Sequence, residues 1–276
     1  MGIQEQTMVY DSAQLATPAI EEARSILRYR ALVLQFVRRD LVARYKRSIL
    51  GVTWTMLNPL ATMIILSVVF SQIFKTDHTF PVYIMAGLVA WGFFSQTTSD
   101  SMYNLIGGVS LLQRIYMPPT VFAVSAIGNG LINLLISLIP LSLVMLVLGV
   151  PIHLSILFLP VSILALAMFS LGVGLLVSTL AVYFRDVTAL YQVVLTAWMY
   201  LTPIIYPENL LNPRFRFWVS ALNPMWPIVH LFRVPLYEGR LPSLAEIWPA
   251  LAVGLAVLIL GWVVFTLRSK EFPYRI

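Results

Sequence analysis

Asp100, in the stretch SQTTSDSMYN, is the one carboxylate read as lying inside an apolar segment of membrane-crossing length. A charge at membrane depth is costly, and it signals a proton relay when several carboxylates or histidines stand in series. Asp100 lies about 18 residues into its segment, roughly 27 Å along at ~1.5 Å per residue, which brings it to the cytoplasmic end. It therefore reads either as a solitary relay group or as a solvated, hydrogen-bonded terminus. His78, His153 and His230 fall in different segments, so no metal site is expected, and no spacing suggests a Ser-His-Asp arrangement. Glu208, Glu238, His230 and Glu246 are too scattered for a transferase site. No G-x-x-x-x-G-K-[ST] occurs, nor any Gly-Lys pair, so the chain carries no P-loop of its own. No catalytic residue, metal or cofactor is assigned to it. These residues give no reading of an enzyme.

The elements that position these groups follow from composition. The 276 residues are 59% hydrophobic and 11% charged, where a soluble domain carries about 25% charged residues. The charges cluster between apolar runs long enough to cross a bilayer, which takes about 20 residues. The chain reads as an all-α integral membrane protein. Its transmembrane domain covers 51–276, with six transmembrane helices near 54–74, 82–106, 121–148, 154–182, 187–206 and 246–267. Tilt or kinks at Pro140 and Pro160 absorb the extra length of the third and fourth. The first apolar run begins about 50 residues in, too late for a cleaved signal peptide. Eighteen Lys and Arg against twelve Asp and Glu give a formal charge of +6. With the N-terminus in the cytoplasm, thirteen of these cations fall inside and five outside, which favours both termini inside. They flank spans instead of forming a patch, so membrane, not nucleic acid, explains them. The absence of cysteine excludes disulfides and thiolate metal sites.

Two segments do not read as spans. Residues 1–18 form a polar tail, and 19–50 an amphipathic interface helix, helical over 19–47, with Leu27, Leu34, Val37, Leu41 and Tyr45 in one stripe. Residues 207–242 hold Pro207, Pro213, Pro224, Pro227, Pro235 and Pro242 among aromatics. Proline this dense breaks a helix, so short re-entrant helices in the outer leaflet are expected.

Within this frame, Ser125, Asn129, Asn133 and Ser137 recur every four residues on one face of the third span. That ladder serves either hydrogen bonding between helices or a hydrated path. Ser170, Gly174 and Ser178 predict close helix packing. Trp91, Phe93 and Phe94, near Gln96, lie deeper than an interfacial belt requires, whereas Trp198, Tyr200, Tyr206, Trp218 and Trp226 lie near the outer surface. Aromatic faces pack on the C–H faces of sugars, and polar edges bond their hydroxyls. Side chains of both kinds would let a glycan slide without being held. The turns GGVSLLQRIYMPP (107–119) and VYFRDV (182–187) read either as connectors carrying an inward-side arginine or as docking knobs for a cytoplasmic partner. Gly107 and Gly108 are expected to end the second span, and Asp186 to cap the fifth helix.

The order of RYKRSILGVTWTMLNPL, LLQRIYMPP, VYFRDV, TPIIY and LNPMWPIVHLFRVPL resembles the membrane (permease) subunit of ABC-type polysaccharide exporters, which serve O-antigen, capsule and teichoic acid. The resemblance runs from about residue 24 to about 270. It implies a homodimer of permease subunits forming a channel, with two cytoplasmic ABC ATPase subunits that bind the ATP and magnesium. Leu112, Gln113, Arg114, Ile115, Tyr116, Phe184, Arg185 and Asp186 would couple to those ATPases. Asn223, Pro224, Trp226 and Arg233 would belong to a re-entrant gate at the outer end. The candidate glycan path comprises Trp91, Phe93, Phe94, Gln96, Asn129, Asn133, Trp198, Tyr200 and Tyr206. Arg39, Arg44, Lys46 and Arg47 are expected both to pin the helix to anionic headgroups and to meet a lipid-linked pyrophosphate. The implied setting is the cytoplasmic (inner) membrane of a bacterium, with the glycan passing through unaltered. A drug or lipid exporter and a stand-alone proton-coupled transporter are the alternatives.

Overall fold

The computed structural model of the chain describes residues 18–46, 51, 53–74, 78–115, 117–208 and 211–275. The expected tail (except Pro18), Arg47 and Tyr116 lie outside them. Among the described residues all regular structure is helical. The main helices are α1 (Pro18–Arg28), α2 (Arg30–Tyr45), α3 (Thr53–Phe74), α4 (Phe80–Leu112), α5 (Thr120–Val147) and α6 (Leu159–Tyr183). They continue as α7 (Val187–Leu201), α8 (Pro213–Leu222), α9 (Met225–Arg233), α10 (Leu244–Arg268) and the short α11 (Phe272–Arg275). Four stretches, Thr53–Phe70, Thr120–Val147, Leu154–Tyr183 and Leu244–Arg275, are long and apolar enough to cross a membrane. Helix α4 has 33 residues but carries a polar run in its middle, and α7 has 15. Helix α7 stops at Leu201, short of the expected 206, because Pro203 disfavours helical backbone at Thr202, which is extended.

The expected interface helix is two helices. Tyr29 breaks it between α1 and α2, and α1, not α2, is the amphipathic one. Leu27 and Leu34 from the anticipated stripe are exposed, together with Ile20 and Val42. The inward anchor is Phe36, buried against the Phe122 ring at 5.4 Å. Trp262 Nε1 donates to Ala19 O (3.0 Å), and Glu22 Oε1 accepts from the Thr120 hydroxyl (2.9 Å), so α1 is tied to both α10 and the start of α5. Burial raises the Glu22 carboxyl above its ordinary range, partly offset by the Thr120 bonds.

Helix α4 forms the centre of the core, packed by α3, α5, α6 and α9. Gly107 and Gly108 do not end it. A β-carbon on Gly108 would fall 2.1 Å from the Phe122 ring, so this glycine makes room for packing between α4 and α5. Gly174 meets Ser101 of α4, in line with the expected close packing. A backbone-to-backbone crossing lies elsewhere on α6: a β-carbon on Gly261 of α10 would fall 2.2 Å from the Gly172 carbonyl oxygen. Backbone lies against backbone there, as small residues permit in membrane bundles. Gly261→Ala is expected to lower stability by about 1–3 kcal/mol through overpacking, read as an earlier melting transition in detergent.

Candidate functional site

A groove of about 730 Å³ opens between α3, α4, α5 and α7, within the size range of pockets that hold organic ligands. Along α4 it runs from Leu88 to Ser99, about 16 Å at ~1.5 Å per residue. Its lining divides into two kinds of side chain. Trp54, Trp91, Phe93, Leu88, Leu134 and Met199 present rings and aliphatic faces. Arg44, Gln96, Asn133, Ser95, Ser99 and Gln192 present polar atoms.

The polar part is a network joining three helices. Arg44 Nη2 of α2 donates to Asp100 Oδ2 of α4 at 2.9 Å, with both side chains partly exposed. The Gln96 amide, with its oxygen turned toward the donors, accepts from Asn133 Nδ2 of α5 at 2.7 Å and from Arg44. Asp100 is thus the counter-ion of Arg44. A second node lies one turn away, where Asp40 receives Arg39 (2.8 Å), Asn129 Nδ2 (3.3 Å) and Asn104 Nδ2 (3.4 Å). The serine–asparagine ladder therefore splits. Asn133 reaches the groove, Asn129 turns to α2, and Ser125 donates to its own helix at Phe122 O.

Phe94 does not line the groove. It is fully buried, packed on Trp91 (5.3 Å), Phe169 (5.4 Å) and Trp198 (5.2 Å). Neither do Trp198, Tyr200, Tyr206 or Asn129. Tyr200 is exposed on α7, and the Tyr206 hydroxyl donates to its carbonyl at 3.1 Å. Spacing along one helix could not reveal that Trp91 and Phe93 face the groove while Phe94 faces the core. Missed residues include Trp54, beside the basic stretch, and Gln192, whose Nε2 donates to Ser99 Oγ at 3.2 Å. A polar residue in the apolar run of α7 was the available signal for Gln192.

The comparison with known families decides the class. The membrane-domain model described as "ABC-2 type transporter" matches residues 31–237. The chain belongs to the ABC-2 type transporter family. The O-antigen export system permease protein RfbA of Myxococcus xanthus is 31% identical over 264 residues, which cover 93% of this chain and 100% of the relative. An O-antigen export system permease protein RfbA of Klebsiella pneumoniae is 24% identical over 243 residues, 87% of this chain and 93% of the relative. The capsule polysaccharide export inner-membrane protein CtrC of Neisseria meningitidis is 20% identical over 256 residues, 89% and 94% of the two chains.

In this ABC-2 type transporter the proline-rich segment is pinned by Asn223. Its Oδ1 accepts from Trp198 Nε1 (2.8 Å) and the Met225 N–H (3.0 Å), and its Nδ2 donates to Thr202 Oγ1 (2.9 Å) and Leu201 O (3.2 Å). The amide thus joins the end of α7 to the start of α9, where Pro224 takes the N-cap position. Arg233 is buried instead of presenting its charge at the outer surface. Its guanidinium stacks 3.6 Å over the Tyr83 ring, and among the described residues none of the guanidinium nitrogens finds a hydrogen-bond partner. The stack joins α9 to α4.

Trp226 stacks on His230 at 5.4 Å, and the imidazole faces Glu208 (3.6 Å) and Glu246 (3.2 Å). Burial pulls the His230 pKa down, but the two carboxylates outweigh it and hold the group above its ordinary value. Stabilisation by the imidazolium is therefore complete below the unfolded pKa of about 6.5 and is lost as pH rises through the folded value. The melting temperature in detergent is expected to fall across that window, and His230→Gln should flatten the step. A step unchanged by the substitution would assign it to other groups.

At the opposite end, Leu112 closes α4, and Arg114, Ile115, Phe184, Arg185 and Asp186 are exposed in their turns. Asp186 does not cap α7: its backbone is helical instead of extended, and its carboxylate accepts nothing from the first turn. Arg39 pairs with Asp40 and lies 4.4 Å over the Phe36 ring, while Lys46 is exposed. Among the described residues no three His, Asp or Glu side chains converge as a metal site.

Proposed function

We propose that this chain is the membrane subunit of an ATP-driven exporter of a lipid-linked polysaccharide, O-antigen foremost. The observation that carries the reading is the groove itself, with rings along its wall and Arg44, Gln96 and Asn133 at one end. Indole and phenyl faces suit the C–H faces of sugars, and serines and amides suit their hydroxyls. Each contact is weak, so a polymer can advance by exchanging one set for the next. The pairing of Arg44 with Asp100 offsets much of its charge. A passing phosphate would be attracted without being trapped. The printed names of the Myxococcus, Klebsiella and Neisseria relatives support the polysaccharide class.

The finer architecture belongs to this proposal. Helices α4 and α7 complete six spans, both termini are cytoplasmic, and 207–242 forms a re-entrant outer gate. Ile64, Ile65 and Val68 of α3 and Leu190, Val193 and Tyr200 of α7 are exposed. A second copy of the chain would cover these faces and enclose the groove as a channel in the inner membrane. The missing P-loop requires ATP and magnesium to act on a separate subunit, two copies of which would dock at the turns 112–116 and 184–186. The test is a deletion strain complemented with the gene. Undecorated glycan should accumulate inside the cell without the chain and reach the surface with it. Normal surface glycan in the deletion strain would refute the proposal.

A further inference from the structure

Three segments far apart in sequence are fastened together at one end of the bundle. Gln113 Nε2, in the turn after α4, donates to Pro273 O at 2.8 Å. Tyr183 OH, at the end of α6, donates to Glu271 Oε2 at 2.8 Å. Between those two ties Phe272 is fully buried, edge-on to Phe265 at 5.0 Å, in a cluster with Leu105, Phe122 and Val182. The last described turn of the chain is thus plugged into the base of α4, α5, α6 and α10. Arg268 and Arg275 each pair with Glu271 at 3.4 Å and brace it from both sides.

The plug leaves Tyr274 outside, 89% exposed. Ile115 and Phe184, in the turns to which the plug is tied, are 55% and 64% exposed. Arg114, Arg185, Arg268, Lys270 and Arg275 outnumber Asp186 and Glu271 on this end. Large apolar side chains rimmed by cations are the composition of an interaction surface whose partner supplies apolar seats and carboxylates. We infer that 269–275 is a third element of the ATPase-docking surface, with Tyr274 seated on the ATPase subunit beside the two turns.

This rests on the reading of those turns as docking turns. The ATPase is favoured over lipid headgroups because the Gln113–Pro273 bond makes the segment continuous with the turn that projects beyond α4. The Tyr183–Glu271 bond ties it equally to the turn at Phe184. A shift of the ATPase would then be felt at α4, α6 and α10 at once.

The chain contains no cysteine, so single-cysteine variants report cleanly. Tyr274→Cys, Phe184→Cys and Arg214→Cys are each labelled with a benzophenone maleimide, in membranes holding the full transporter with its own co-expressed ATPase subunit. Illumination should cross-link positions 274 and 184 to the ATPase, and position 214 should not. If 184 cross-links and 274 captures only lipid or nothing, the inference fails while the docking turns stand. If both are silent, both readings fail. In parallel, Tyr274→Asp should reduce ATPase retained on the purified chain about tenfold, with an unaltered melting temperature. Full retention would overturn the inference.

Discussion

Arg44→Glu is expected to lower polysaccharide export by at least about tenfold while the amount of chain inserted in the membrane stays unchanged. The wild-type guanidinium lies 2.9 Å from Asp100 and also serves Gln96. The substitution sets two carboxylates against each other at the groove end and leaves the Gln96 oxygen without one of its donors. Two like charges at about 4 Å repel by up to ~4 kcal/mol near a protein surface. Both partners are partly exposed, so solvent reduces this to roughly 1–2 kcal/mol, which corresponds to about tenfold. Arg47→Glu, in the same basic stretch, should act in the same direction. Export is read as surface glycan per cell and insertion as chain in the membrane fraction. Equal losses in the two readouts would reduce these cations to anchors. Arg44→Asp with Asp100→Arg restores the pair with reversed polarity. Recovery of export by that variant would mean that pairing, not cation contact with the substrate, is what the groove requires.

Asn223→Leu is expected to destabilise the folded chain by about 3–5 kcal/mol. The native amide satisfies the Trp198 indole N–H, the Met225 N–H and the Thr202 hydroxyl, and bonds the Leu201 carbonyl. Leucine fills comparable volume but leaves these buried groups unpaired, each costing about 1–3 kcal/mol. The losses overlap because the groups form one network. In a chain of this size the melting temperature should drop by on the order of 10 °C. A drop under about 2 °C would show that relaxation or water re-pairs these groups, and that Asn223 is not what holds α9 to α7.

The architecture was legible where one physical rule dominated. Apolar length placed α3, α5, α6 and α10 to within a few residues, since nothing else in a sequence imitates some twenty apolar residues. Helix α7 was overextended because TPIIY is as apolar as the span before it, and only Pro203 signals the stop. The interface helix shows a different limit. Leu27 and Leu34 gave a regular period, but the anchor is Phe36, whose partner Phe122 lies 86 positions later and could not be inferred from local spacing.

The groove was half legible for the same reason. Of the residues expected on a glycan path, Trp91, Phe93, Gln96 and Asn133 line it, beside Arg44 of the expected lipid entry, while Phe94, Asn129, Trp198, Tyr200 and Tyr206 do not. Helical period assigns residues to faces without saying which face meets core, lipid or cavity. Asp100 was ambiguous in sequence because its partner comes from a helix 56 residues earlier.

On the proposed reading this chain provides a passage and takes its motive force from a separate ATPase. The most direct measurement reconstitutes the purified chain in liposomes, alone and with its ATPase subunit, and follows movement of a lipid-linked glycan with ATP on the ATPase side. Uphill movement is expected with chain, ATPase and ATP together, and none when either the ATPase or the ATP is omitted. Uphill movement by the chain alone, driven by a proton gradient or by nothing added, would contradict that reading.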